Sequence, residues 1–216
     1  MILIEIENII NTINNYNINI TGVLHIGAYE CEELQFYINN LYLSEDNIIW
    51  LEANDNKVIE CKDNGIKNIY NYLITNKDNE LIKFNISNNI LSNDSESSSI
   101  FNFKMHLTQH PEVKYTSYIY KYSITIDTFL KNHVINIIKY NFLFIHIQGA
   151  ELLALQGANN YLKYVNIIYI KINIKELYEN NPLIEDIDSF LNKKKFKRIL
   201  TKITKYGWGD ALYIRY

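Results

Sequence analysis

The sequence predicts an α/β protein built on a mostly parallel sheet, and three observations lead there. Short apolar runs alternate with segments whose apolar residues recur at helical spacing. Three of the strand-like runs end on a glycine bend or a polar side chain, as strands do where an open sheet meets a ligand. The run Phe142-Leu143-Phe144-Ile145-His146-Ile147 is almost wholly apolar, the mark of a central strand covered on both faces.

Each element follows in order. Over residues 5–16, Ile6, Ile9, Ile10 and Ile13 fall on one helical face and predict an amphipathic N-terminal helix. Gly22-Val23-Leu24-His25-Ile26-Gly27-Ala28 reads as a short buried strand ending in a tight turn. Leu34, Tyr37, Ile38 and Leu41 predict a helix over residues 30–42. Ile48-Ile49-Trp50-Leu51-Glu52 is a second strand, followed by a helix over 55–62 and a third strand over 68–74. Residues 76–79 signal a turn. A strand is expected over 81–86 and a Ser/Asn-rich loop over 87–99; residues 101–122 have no clear period. Residues 123–126 read as a strand, with Asp127 as the cap of a helix reaching about residue 138. After the central strand, Gln148-Gly149 turns into a helix near Ala150. A long strand over 165–174, a helix over 184–195 and a hairpin around Tyr206-Gly207-Trp208-Gly209 complete the chain. The Lys193-Lys194-Lys195 run suits a helix C-terminus. Residues 1–20 are taken as a helical extension and 21–216 as one domain.

Composition narrows the function. Of 216 residues, 48% are hydrophobic and 21% charged, an ordinary globular balance. A formal charge of −3 gives no basic field for nucleic acid. Arg198 and Arg215 are the only arginines, so a site of bidentate arginine clamps on phosphate is not expected. The 38 Ile and 31 Asn reflect AT-rich codons rather than function. Cys31 and Cys61 form no CxxC pair and no disulfide framework, which suits a reducing compartment. Acids inside the apolar N-terminal run do not fit a signal peptide, and no stretch has the ~18 apolar residues of a membrane span. The expectation is a cytoplasmic protein that binds neither nucleic acid nor membrane.

Four segments carry candidate chemistry. His25-Ile26-Gly27-Ala28 ends the first strand; its single glycine lets a ligand approach the backbone, but alone it is equally a plain βα turn. Glu52 ends the second strand, about 25 residues after that bend, where an acid accepts hydrogen bonds from a ribose diol. His146, with Gln148 on the same face, ends the central strand, and a polar group there is either satisfied by neighbours or aimed at a site. His106 and His110 have the i,i+4 spacing of a metal pair, but Pro111 follows and no HExxH glutamate is present, so a polar surface loop is expected and no metal.

Taken together, Leu24-His25-Ile26-Gly27-Ala28, Trp50-Leu51-Glu52-Ala53, Ser97-Ser98-Ser99, Ile126-Asp127-Thr128-Phe129-Leu130, Ile147-Gln148-Gly149-Ala150-Glu151-Leu152 with Leu155-Gln156-Gly157-Ala158, Leu177-Tyr178 and Gly207-Trp208-Gly209-Asp210-Ala211-Leu212-Tyr213 resemble the FkbM-like family of S-adenosylmethionine-dependent methyltransferases. The resemblance implies a class I methyltransferase (Rossmann-like) fold: a mostly parallel seven-stranded sheet with an antiparallel C-terminal hairpin. It implies S-adenosyl-L-methionine as cofactor, its methionine part against His25, Ile26, Gly27 and Ala28 and its ribose on Glu52 and Ala53. It further implies O-methylation, often of a sugar hydroxyl in glycan biosynthesis, with no metal. Two positions depart from the family pattern: His25 stands where an acid is usual, and Phe144-Ile145-His146 where Lys-x-Asp is usual. The expected catalytic set is His146 as base, with Gln148 and Glu151 shaping the rim; the alternative is a non-catalytic protein that keeps the fold for binding or scaffolding.

Overall fold

The computed structural model describes residues 2–92 and 94–216; Met1 of the N-terminal run and Asn93 of the Ser/Asn-rich loop lie outside the described residues. In chain order the elements are α1 (Ile6–Asn15), β1 (Val23–Ile26), α2 (Leu34–Asn39), β2 (Ile48–Glu52), α3 (Asp55–Asp63), β3 (Ile69–Asn71), β4 (Leu73–Ile74), β5 (Leu81–Asn89), α4 (His106–Gln109), β6 (Val113–Ile124), α5 (Ile126–Asn132), β7 (Phe142–Ile145), α6 (Glu151–Gln156), β8 (Ile167–Asn173), α7 (Ile184–Lys193), β9 (Phe196–Ile203) and β10 (Trp208–Arg215).

Seven strands form one sheet in the order β3-β2-β1-β7-β8-β10-β9. β1 runs parallel to both β2 and β7, β7 to β8 and β2 to β3, while β10 is antiparallel to β8 and β9. This is the expected class I arrangement with its C-terminal hairpin. Strand order reverses between β1 and β7, so their carboxyl ends leave a crevice where no connection crosses.

The period of two along each strand sends alternate side chains to two cores. Leu24, Ile26, Leu143, Ile145 and Ile170 enter one, packed under α5, α6 and α7. Val23, Trp50, Phe142, Phe144 and Tyr169 enter the other, with Phe36 and Tyr37 of α2 and Val58 of α3. α1 lays its buried Ile9 and Ile13 into this second core. Each such isoleucine stabilises its docking by ~1.5–3 kcal/mol, which is what ties residues 2–20 to the sheet. No helix among the described residues is long and apolar enough to cross a membrane.

A second sheet, β4-β6-β5, stands over the crevice. It accounts for several departures from the sequence reading. The strand expected over 68–74 is two: Ile69–Asn71 pairs with β2, then the chain swings away at Tyr72 so that Leu73–Ile74 pairs with Ser123–Ile124 of β6. The segment without a clear period holds most of the 12-residue β6, whose Tyr118, Tyr120 and Tyr122 are exposed, so no apolar alternation marked it; the strand expected over 123–126 is the end of β6, and α5 starts at Ile126. β5 continues past residue 86 to Asn89, because β6 is long enough to pair with it.

Local backbone chemistry explains the rest. The helix expected over 30–42 begins only at Leu34, because Tyr29 and Cys31 sit in the left-handed region at φ +46 and +58, which an α-helix cannot include. The helix after β6 ends at Asn132 and is capped by Thr125, whose Oγ1 accepts from the Thr128 N–H at 3.1 Å. Asp127 instead accepts from the N–H groups of Asn160 and Tyr161, at 2.8 and 2.9 Å. His106 is not in a polar surface loop. It is buried in a short helix, its ring stacked on Phe103 with centroids 4.2 Å apart, because a third apolar cluster forms under β6. Cys31 and Cys61, 30 residues apart in sequence, meet in the second core with sulfurs 3.7 Å apart.

Candidate active site

The crevice is built from the turn that follows β1. Gly27 and Ala28 both donate their N–H groups to the Leu51 carbonyl, at 2.8 and 3.1 Å, and His146 donates its N–H to the Ile26 carbonyl at 2.9 Å. The turn is thereby held between β2 and the end of β7. Gly27 has φ +86, and a Cβ there would stand 2.2 Å from the His146 carbonyl oxygen, so only glycine fits. Beyond this turn opens a space of about 610 Å³, walled by Ile26, Gly27, Glu52 and Ala53 on one side and by residues of the second sheet, including Leu73 and Phe84, on the other.

Glu52 is fixed on the crevice wall by two backbone groups. Its Oε1 accepts from Asn54 N–H at 2.7 Å and its Oε2 from Tyr29 N–H at 2.9 Å. Burial raises its pKa, opposed by these N–H bonds. A carboxylate has about four acceptor positions; the Ala53 N–H also acts on this one, and the capacity that is left borders the crevice.

A second compartment of about 380 Å³ adjoins the first, lined by His25, Ala28, Glu32, Glu33 and Glu96. Gly27, Tyr29, Glu96, His146 and Gln148 border both spaces. His25 is stacked between Phe144 and Trp50, with ring centroids 4.1 and 4.7 Å away, and its Nδ1 hydrogen-bonds the Tyr37 hydroxyl at 2.9 Å. Burial holds its pKa well below the usual histidine value, so the ring is neutral.

The segment after β7 carries the rest. Gln148 adopts φ +54; its amide donates to the Glu96 carbonyl at 2.7 Å and its Oε1 accepts from the Tyr178 hydroxyl at 2.8 Å, which fixes its rotamer. Ser99 donates to the Gln148 carbonyl at 2.7 Å. Glu151 turns back into its own loop, accepting from Ile147 N–H at 3.0 Å and Gly149 N–H at 2.9 Å. It is buried beneath the rim, and burial pushes its pKa up to about 7.

Two buried ionisable groups beside His146 had no role assigned from sequence, although Asp210 lies in the Gly207-to-Tyr213 motif. Lys171 of β8 and Asp210 of β10 are cross-strand partners. Lys171 holds its Nζ 4.3 Å from the centre of the Trp208 ring, and burial depresses its pKa. His146 Nε2 lies 3.6 Å from Asp210 Oδ1, and burial holds the imidazole well below its usual value, with Lys171 adding to the effect. The available signal was a charge inside an unbroken apolar strand, Ile-Ile-Tyr-Ile-Lys-Ile, where a lysine needs a partner. Among the described residues no group of three or more His, Cys, Asp or Glu is arranged to hold a metal ion.

A family model described as the methyltransferase FkbM domain matches residues 25–198. The structure aligns with magnesium protoporphyrin IX methyltransferase from Synechocystis PCC 6803 with bound SAM at a TM-score of 0.44 and 9% identity, over 98% of this chain and 78% of that one. It aligns with a SAM-dependent methyltransferase from Aquifex aeolicus at 0.41 and 10%, over 98% and 90%. A SAM-dependent methyltransferase from Bacteroides fragilis in complex with S-adenosyl-L-homocysteine aligns at 0.42 and 8%, over 94% and 76%. No curated protein matches the chain.

Proposed function

The chain belongs to the FkbM-domain family of methyltransferases, and from that premise we propose that it is an S-adenosyl-L-methionine-dependent O-methyltransferase acting on a sugar hydroxyl in glycan biosynthesis. The observation that carries this reading is the position of His146: it borders both the crevice that holds the Glu52 carboxylate and the adjoining acidic compartment.

The residues present fit the cofactor. Glu52 has acceptor capacity left for a ribose hydroxyl, next to an apolar slot formed by Leu73, Ile74 and Phe84 that suits a purine. Ile26, Gly27 and Ala28, with His25 behind them, form the floor for the methionine part, and Ala53 leaves room beside the sugar. When bound, S-adenosylmethionine supplies an electrophilic methyl group on a sulfonium, a donor that needs no metal.

The chain's own part is to hold the acceptor oxygen in line and to take its proton. An oriented contact of about 3–3.5 Å can supply roughly 7–11 kcal/mol of barrier reduction in such a displacement. His146 is neutral because it is buried, which leaves one ring nitrogen with a lone pair for the hydroxyl proton, while the same burial opposes the imidazolium that would form. Gln148, pinned by Glu96 and Tyr178, shapes the rim, and Glu151 keeps the turn that carries Gln148 in register. Calorimetry with S-adenosylmethionine and S-adenosylhomocysteine, followed by transfer of labelled methyl to a panel of mono- and oligosaccharides, tests the proposal. Saturable cofactor binding and label in a sugar are expected; absence of binding at millimolar cofactor overturns it.

A further inference from the structure

Two buried polar atoms face one another without any hydrogen-bond partner: His146 Nε2 and Asp210 Oδ1, 3.6 Å apart. Buried polar atoms are nearly always paired, and one proton would pair these two once the gap closes by a few tenths of an ångström to hydrogen-bond length. The other oxygen of Asp210 is already supplied. Oδ2 accepts from the Leu3 N–H at 2.8 Å and from the Tyr169 hydroxyl. Lys171, its cross-strand partner, places an ammonium in the same cluster. Burial raises the Asp210 carboxyl, opposed by the Tyr169 hydroxyl, the Leu3 N–H and Lys171; with both donors on Oδ2, the ionised form can only accept at Oδ1. The proton between the two residues therefore belongs to the imidazole.

We propose that Asp210 is a positioning residue for the transfer reaction: it holds the Nε2–H of His146 and so fixes the tautomer whose bare Nδ1 serves the acceptor hydroxyl. A neutral imidazole has one N–H, and the bond made by one nitrogen decides what the other can do. Without Asp210 the ring is free to carry its proton on Nδ1, where it cannot act as a base. The inference rests on the reading of His146 as the base for the acceptor hydroxyl.

The tautomer is readable with neither cofactor nor acceptor. In long-range proton–nitrogen spectra of the full chain labelled with ¹⁵N-histidine, the His146 signals are identified by their loss in His146→Gln. The expected wild-type pattern is a protonated Nε2 and a bare Nδ1. In Asp210→Asn, the amide oxygen is drawn to the Leu3 N–H, since an NH₂ there would oppose a donor. Its NH₂ then faces His146, and the major form is expected to switch to Nδ1–H. A wild-type ring protonated on Nδ1 overturns the proposal, because Asp210 would then carry the proton. An unchanged tautomer in Asp210→Asn overturns it too. Should Asp210→Asn fail to fold by circular dichroism, the wild-type spectrum alone decides. Failure here is distinguishable from failure of the base reading, which is read separately from turnover in His146→Ala.

Discussion

Tyr29 gives its backbone N–H to Glu52 Oε2 over 2.9 Å, so the side chain that faces the crevice also ties the turn after β1 to the end of β2. The other oxygen holds Asn54 N–H at the entry to α3. The proposed ribose site and local order therefore draw on one carboxylate.

Replacement of that group should report on both roles. Glu52→Gln keeps the shape but offers one carbonyl to two N–H donors, leaving one donor facing an NH₂. The expected cost in folding is about 1–3 kcal/mol, the usual penalty for a buried donor left unmet. Affinity for S-adenosylhomocysteine should fall at least about tenfold, since ~1.4 kcal/mol of lost diol bonding is a factor of ten. Calorimetry alongside a urea melt separates the two; unaltered affinity would remove Glu52 from the ribose site.

Gly27→Ala should be among the most damaging single methyl additions in the chain. Its Cβ would stand 2.2 Å from the His146 carbonyl oxygen, at a φ of +86 that side chains avoid. Strain of this kind costs on the order of 1–3 kcal/mol before any shift of β7. A urea melt should show a lower midpoint, and cofactor binding should weaken with it. A melt that matches wild type would mean the turn relaxes freely.

Much of this site was legible in the sequence because strand ends announce themselves. Gly27, Glu52 and His146 each terminate an apolar run, and a parallel sheet brings such ends to one edge. What stayed hidden depends on partners distant in sequence. β4 and β6 pair with each other across about fifty residues, with exposed tyrosines that blur the period of two. Asp210 lies in the Gly207-to-Tyr213 motif, yet its approach to His146 arises only once β10 inserts beside β8. Asp127 has the chemistry of a cap, and only the folded chain shows that it serves Asn160 and Tyr161 instead of its own helix.

Glu151 gives a pH dependence whose sign is fixed. Its pKa rises from an ordinary 4.5 to about 7 on folding, so between those values the folded chain binds more protons than the unfolded one. Stability from this group is thus full below about pH 4.5 and declines as pH rises through about 7. Glu151→Gln cannot titrate, and it is expected to be less stable by about 1–3 kcal/mol from one unmet N–H. The gap between wild type and variant should therefore narrow from pH 5 to pH 7.5, measured by thermal melts at fixed ionic strength. A gap that does not narrow over that range would show Glu151 ionised throughout in the folded chain.

His146→Ala separates chemistry from binding. The imidazole borders the crevice, but the groups that would hold the cofactor, Glu52 and the backbone around Gly27, remain when it is truncated. Positioned general bases contribute typically ~10²–10⁴ in rate, so kcat should fall into that range. The dissociation constant for S-adenosylhomocysteine should move by less than about threefold, which is under 1 kcal/mol. The truncation also leaves Asp210 Oδ1 without its neighbour, so a modest loss of stability accompanies it. Single-turnover transfer of labelled methyl, with cofactor binding followed in parallel, makes the comparison. Equal losses in rate and binding would mean the ring supports the crevice wall; undiminished turnover would mean the proton leaves by another route.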